Sequence, residues 1–286
     1  MDGEIMEKKN TLEKIYMLNE LDKLTKYMNQ IIVETIRSRQ MDKFESHEKF
    51  ILISFDWYDI HEESGEPAQI IIYYEENKLI FLCETVRCFH KVQQLLKEGT
   101  DNEHILYEFF AELIKGDIDC LEELEESITE TEDELLTCTR KGYAAIIIKY
   151  RRELLRLKKY YEQLNYIFEG LVENENNMIS NEKLRYFRIL DNRIDRLFAK
   201  VLSLRDYVTQ VREAYQAQID IEQNNLMKIF TVVTTIFLPL TLIVGWYGMN
   251  LNMPEFSWKY GYPYVITLSI IICLICIIIF KKKKWF

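Results

Sequence analysis

Two uncharged apolar stretches near the C-terminus constrain this chain more than any other feature. Ile229 to Trp246 is 18 residues and Tyr262 to Phe280 is 19. A bilayer core about 30 Å thick takes roughly 17–25 apolar residues of helix, so each stretch is long enough to cross once. A helix buried in a soluble core would alternate with polar residues, and these do not. Lys281 to Lys284 abut the second stretch and Lys228 the first, whereas the connection from Tyr247 to Gly261 carries only Glu255 and Lys259. Excess Lys in short flanks marks the cytosolic side. The expected path starts inside, crosses out, makes a short outer loop and returns, leaving both termini cytoplasmic. The first 15 residues hold Asp2, Glu4, Glu7, Lys8 and Lys9 and no apolar run. No signal peptide is expected, and the chain before about Met227 is expected in the cytosol.

Tyr247-Gly248-Met249-Asn250 stands directly after the first stretch, Met253-Pro254-Glu255 and Trp258-Lys259-Tyr260-Gly261-Tyr262-Pro263 follow in the loop, and four Lys close the second stretch. This arrangement resembles the CorA family of divalent-cation transporters, whose signature is Gly-Met-Asn at the end of the first of two transmembrane helices. The close likeness covers about the last 63 residues, and a looser one runs back through the preceding part. The resemblance implies a homopentamer around one axis in the plasma or inner membrane, in contact with lipid. Its transported ion is magnesium, with cobalt or nickel as further ions, and cytosolic magnesium is also the regulator. It implies that Gly248, Met249 and Asn250 form the selectivity filter and that Glu255 in the outer loop attracts cations. A zinc transporter of the same superfamily is the alternative within transport, and Met-Pro-Glu favours magnesium over it. The alternative of another class is a non-conducting, membrane-anchored coiled-coil scaffold, to which the identity of Asn250 would not matter.

The formal charge is −10, unevenly placed: residues 1–222 carry −15 and the remainder +5. An acidic cytosolic part argues against nucleic acid as a partner, because phosphate binding needs a basic face. It suits surroundings that attract cations, and equally a solvated surface. Cys83, Cys88, Cys120 and Cys138 are expected as reduced thiols. Cys273 and Cys276 form C-x-x-C inside the second stretch with no second pair or nearby His, which favours packing over metal. His47, His61, His90 and His104 are dispersed. With no Gly-rich phosphate loop, nucleophile–His set or ligand cluster, neither an enzyme nor an organic cofactor is expected.

The fold class expected is mostly helical: a mixed α/β cytosolic domain with a small antiparallel sheet, a long stalk helix and a two-helix transmembrane hairpin. Thr11 to Ser38 has apolar residues at helical spacing and predicts one or two helices. Phe50 to Phe55 predicts a strand, and Gln69 to Tyr74 with Lys78 to Cys83 a hairpin around Glu75-Glu76-Asn77. After Val86 only helices are expected. One runs from Asn102 to Leu136, with ten acids and no base between Asp117 and Glu134. The next, Tyr143 to Val172, is rich in bases, and a short connection predicts an antiparallel pair of opposite charge. From Asn181 no Pro or Gly appears until Pro239. A helix unbroken from about Asn181 to Trp246 would be roughly 100 Å long. Its stripe from Leu184 to Val211 is expected to pack on copies of itself. The boundaries are thus 1–100 for the α/β domain, 101–180 for a helical hairpin, 181–246 for the stalk and first span (about 229–246), 247–261 for the outer loop, 262–280 for the second span and 281–286 for a basic tail.

Two spans cannot enclose an aqueous path, so a channel has to form at a symmetry axis. On a helical wheel one stripe of the first span collects Asn224, Met227, Phe230 or Thr231, Thr234, Leu238, Thr241 and Gly245. Polar and apolar rings alternate along it, although each Thr also has its own backbone to bond. By position these residues match the pore-lining side of the family's first helix. Magnesium releases water slowly and prefers six oxygens near 2.1 Å. A ring of neutral Asn250 amides would bond the coordinated waters without stripping them. Rings at Met227, Phe230 and Leu238 would close the path by dewetting. For the regulatory metal the candidates are Asp42, Glu45, Asp191 and Asp195, with Ile189 falling where the family would place the sensor carboxylate.

Overall fold

The computed structural model describes residues 14–26, 28–60, 66–96, 101–137, 142–249 and 258–282. Its strands are β1 (Ile15–Met17), β2 (Phe44–Ser46), β3 (Ile51–Trp57), β4 (Ala68–Glu75) and β5 (Lys78–Cys83). A 3-10 helix covers Leu18–Lys26. The α-helices are α1 (Gln30–Ser38), α2 (Val86–Leu95), α3 (Asn102–Leu113), α4 (Asp117–Thr137), α5 (Tyr143–Glu173), α6 (Asn181–Tyr247) and α7 (Gly261–Lys282). Contacts cluster in two compact units, Met1–Arg212 and Glu213–Phe286.

In the first unit the strands lie in the order β1-β5-β4-β3-β2. The predicted hairpin is β4–β5, closed by the pair Glu75 and Lys78, and β3 joins it antiparallel. The sheet is mixed rather than purely antiparallel, because β1 runs parallel to β5. The helical spacing from Thr11 onward concealed that strand: Ile15 pairs with Phe81 at the sheet edge, and helix begins only after Met17. Tertiary pairing outweighs local periodicity in so short an element.

Both faces of the sheet are covered, which accounts for near-continuous apolar strands instead of alternating ones. On one face Leu52, Ile71, Tyr73, Ile80 and Leu82 pack against Leu21 and Leu24 of the 3-10 helix and Ile32, Val33 and Ile36 of α1. On the other, Phe55 meets Phe110, Phe81 meets Phe109, and Phe110 meets Phe168 of α5 at ring separations of 6.0, 4.9 and 5.0 Å. The core therefore extends from the sheet into the helices.

The helix predicted from Asn102 to Leu136 is two helices. Gly116, at φ 81°, breaks it. A side chain is disfavoured in that left-handed region, which glycine adopts freely. The break starts α4 afresh with Asp117 in its first turn, where the helix dipole favours an anion. The carboxylate of Asp117, itself buried, accepts from the Tyr161 hydroxyl at 2.8 Å. The acids of α4 make contacts on both neighbouring helices. Tyr143 of α5 donates to Glu134, while on α6 Lys200 pairs with Glu125 and Tyr207 donates to Glu132.

That last set corrects the reading of the α6 stripe. Phe187, Leu190, Ile194, Leu197, Val201, Leu204, Val208 and Val211 are all buried within the single chain. Up to Arg212 the helix needs no second copy to cover its apolar face, because the chain's own helices supply that cover. Sequence periodicity reports that a face is apolar, not what covers it.

In the second unit α6 continues to Tyr247 and α7 follows. Each holds an apolar segment long enough to cross a membrane, and almost none of that segment is buried by protein.

Candidate ion pathway

Helix α6 has two unlike faces after Glu213. Val232 is buried and Ile236, Pro239, Leu240, Ile243 and Tyr247 are half-buried. At about 100° per residue these share one side. Their burial marks this as the side near α7, and on its flank Cys276 Sγ lies 3.9 Å from the Thr235 carbonyl oxygen. Met227, Phe230, Thr231, Thr234, Leu238, Thr241 and Gly245 centre roughly half a turn away and are exposed, with Met227, Phe230 and Leu238 at 63–65%. Asn224 is exposed too. The stripe read from sequence thus lies on the face of α6 turned from α7. Thr235 lies on the flank between the two faces, so the fourth Thr of this span is not part of the stripe.

The hydroxyls have a defined polarity. Thr231 donates to Met227 O at 2.7 Å, Thr234 to Phe230 O at 2.8 Å and Thr241 to Phe237 O at 2.8 Å. Each spends its one proton on the preceding turn and keeps lone pairs outward. Waters on a cation present only hydrogens outward, so such hydroxyls suit a hydrated cation better than an anion.

The end of α6 is set by glycine. Gly248 N–H donates to Val244 O at 2.8 Å, and Met249 N–H to Trp246 O at 3.3 Å. A Cβ at Gly248 would stand 2.8 Å from the Val244 carbonyl oxygen, which no ordinary side chain tolerates. The turn into the loop therefore requires Gly there. Met249 is exposed, beside an open, nearly apolar depression lined also by Leu238, Thr241, Leu242, Gly245 and Trp246. Asn250 and Glu255 lie outside the described residues. At the end of the loop, Trp258 is 6.4 Å from Tyr260 and 5.9 Å from Tyr264, an aromatic group of the kind found at membrane–water boundaries.

A family model described as a CorA-like Mg2+ transporter protein matches residues 16–282. The chain belongs to the CorA-like Mg2+ transporter family. Among curated relatives, the cobalt/magnesium transport protein CorA of Thermotoga maritima is 28% identical over 267 residues, which is 89% of this chain and 76% of the relative. The magnesium transport protein CorA of Wolinella succinogenes is 50% identical over 76 residues, 26% of this chain and 24% of that one. The complete CorA structure from Methanocaldococcus jannaschii superposes with a TM-score of 0.76 at 23% identity, covering 95% of this chain and 90% of that one. The two apolar helices of this family member fit a membrane transporter.

The carboxylates proposed as regulatory fall in two places in the first unit. The Glu45 carboxylate accepts from Asp42 N at 2.9 Å and faces His47 Nε2 at 3.3 Å. Asp191 lies elsewhere, and its carboxyl is pushed above the ordinary range by burial, then by Asp195 and by Glu169. Glu169, on α5, was not singled out from sequence; no spacing rule reaches across two helices. Ile189 is exposed at 54%. Among the described residues no group of three or more His, Cys, Asp and Glu is arranged to hold a metal.

Proposed function

We propose that this family member conducts magnesium, with cobalt as a second ion, through a homopentameric pore whose wall is the exposed stripe of α6. The observation that carries the reading is the pairing of that stripe with Gly248-Met249-Asn250 at its end. A row of acceptor hydroxyls with no covering helix among the described residues suits an aqueous axis shared with other copies. Neutral Asn250 amides, one per subunit, bond the waters of hydrated magnesium and select without dehydrating it. Gly248 opens its carbonyl to the same ions, Met249 anchors the loop, and Glu255 raises the local cation concentration. Met227, Phe230 and Leu238 form the dewetting gate. Both termini lie in the cytoplasm, and the membrane is the plasma or inner membrane. An inside-negative potential then favours entry by about 2.3 kcal/mol per charge per 100 mV. Magnesium held at Asp191 and Asp195, or at Asp42 and Glu45, closes the pore by binding that state better than the open one.

The test is magnesium uptake into liposomes holding the purified protein, wild type beside Asn250→Ala, with an indicator inside. Uptake lost in the variant while the oligomer persists in detergent supports a path through Asn250. Equal signals from the two, or none from either, would leave the helices as an anchor.

A further inference from the structure

Pro239 lies inside α6. A proline has no N–H, so the carbonyl four residues earlier loses its donor. Here that carbonyl belongs to Thr235. In hydrocarbon an unmet backbone carbonyl has no water to turn to, and transmembrane prolines persist where a neighbour supplies a donor. The Thr235 hydroxyl is already committed to Thr231 O at 2.7 Å. On α7 the hydroxyls of Thr267 and Ser269 donate to their own helix, at 2.8 Å to Pro263 O and 2.9 Å to Val265 O. Among the described side chains, the thiol of Cys276 reaches Thr235 O, at 3.9 Å.

We propose that Cys276 is a positioning residue for the pore helix: its thiol replaces the N–H that Pro239 withholds from Thr235, and so ties α7 to α6 between Thr234 and Leu238. The position is informative because those two residues alternate as a polar and an apolar ring of the stripe. Any rotation of α6 at its proline moves both, and the thiol bond opposes that rotation. The role in conduction rests on reading this stripe as the pore wall; the thiol–carbonyl contact does not.

The test is a double-mutant cycle on the full-length oligomer, with Cys276→Ala and Pro239→Ala singly and together, and Cys276→Ser as the conservative replacement. Pro239→Ala returns the backbone donor to Thr235 O and makes the thiol redundant. Interhelical hydrogen bonds in membranes shift equilibria by about threefold on average. With Pro239 in place, Cys276→Ala is expected to lower the oligomer's melting temperature and to shift magnesium uptake by about threefold, and Cys276→Ser to restore both. In the Pro239→Ala background, Cys276→Ala is expected to be silent. The infrared S–H band of Cys276, taken as wild type minus Cys276→Ala, should lie below the free-thiol position. Equal effects of Cys276→Ala in both backgrounds would overturn the proposal. If Pro239→Ala does not assemble, the S–H band decides alone, and a Cys276 band at the free-thiol position refutes it. Failure of the transport reading looks different: wild-type protein takes up no magnesium although the thiol band is shifted.

Discussion

Replacing Gly248 by Ala tests the end of α6 with one methyl group. The added Cβ stands 2.8 Å from Val244 O, and ordinary contact begins near 3.4 Å, so about 0.6 Å must open. The same carbonyl accepts the Gly248 N–H at 2.8 Å, so the opening stretches the bond that ends the helix. Losing a backbone bond costs about 1 kcal/mol, and leaving its carbonyl dry raises that to about 3 kcal/mol. At about 1.4 kcal/mol per tenfold, the helix end that places Met249 falls in population by between about fivefold and about a hundredfold. Liposome uptake should fall by the same factor, with the oligomer retained in detergent. Gly245→Ala is the control for melting alone, since Gly245 lies on the stripe read as the pore wall: its Cβ meets nothing within 4 Å, and alanine is the better helix former by about 1 kcal/mol. A Gly248→Ala protein that matched wild type in uptake and in melting would refute the steric argument.

Four further outcomes are expected. Gly170→Ala drives a methyl into the Phe44 ring, so overpacking of about 1–3 kcal/mol outweighs the gain in helix propensity and melting falls. In a Phe44→Leu background the sign should reverse, and a loss in both would mean the ring is not the obstacle. Asp191→Asn should raise the melting temperature at neutral pH. The raised carboxyl makes ionised Asp191 a liability that is absent below the ordinary carboxylate range and full above the raised value, so the gap should close on acidification; a gap independent of pH would exclude this cause. Met227→Gly removes an apolar side chain of the proposed gate and should increase uptake into magnesium-depleted cells at equal expression, while an unchanged rate moves the gate elsewhere. Thr234→Val removes an outward acceptor and should slow uptake severalfold, and an unaffected rate would take its hydroxyl out of the ion's path.

The apolar runs, the Gly-Met-Asn signature and the hairpin at Glu75-Glu76-Asn77 were legible in the sequence, because each is set by residues adjacent in the chain. Span length is a count, a helical stripe follows from 3.6 residues per turn, and a missing N–H is a property of proline itself. Partnership is not written that way. β1 looked helical because its few residues fit that spacing, and pairing with β5 made it a strand. The stripe from Phe187 to Val211 was plainly apolar, yet its burial within the chain depended on where α4 and α5 lie. Asp191 beside Glu169, and Cys276 beside the carbonyl that Pro239 leaves open, join residues from separate helices. Residue order alone dictates which faces are apolar and which backbone groups lack a partner. What covers those faces and meets those groups is settled by the folded chain, because a contact between distant residues is fixed by the packing of whole elements and not by any local period.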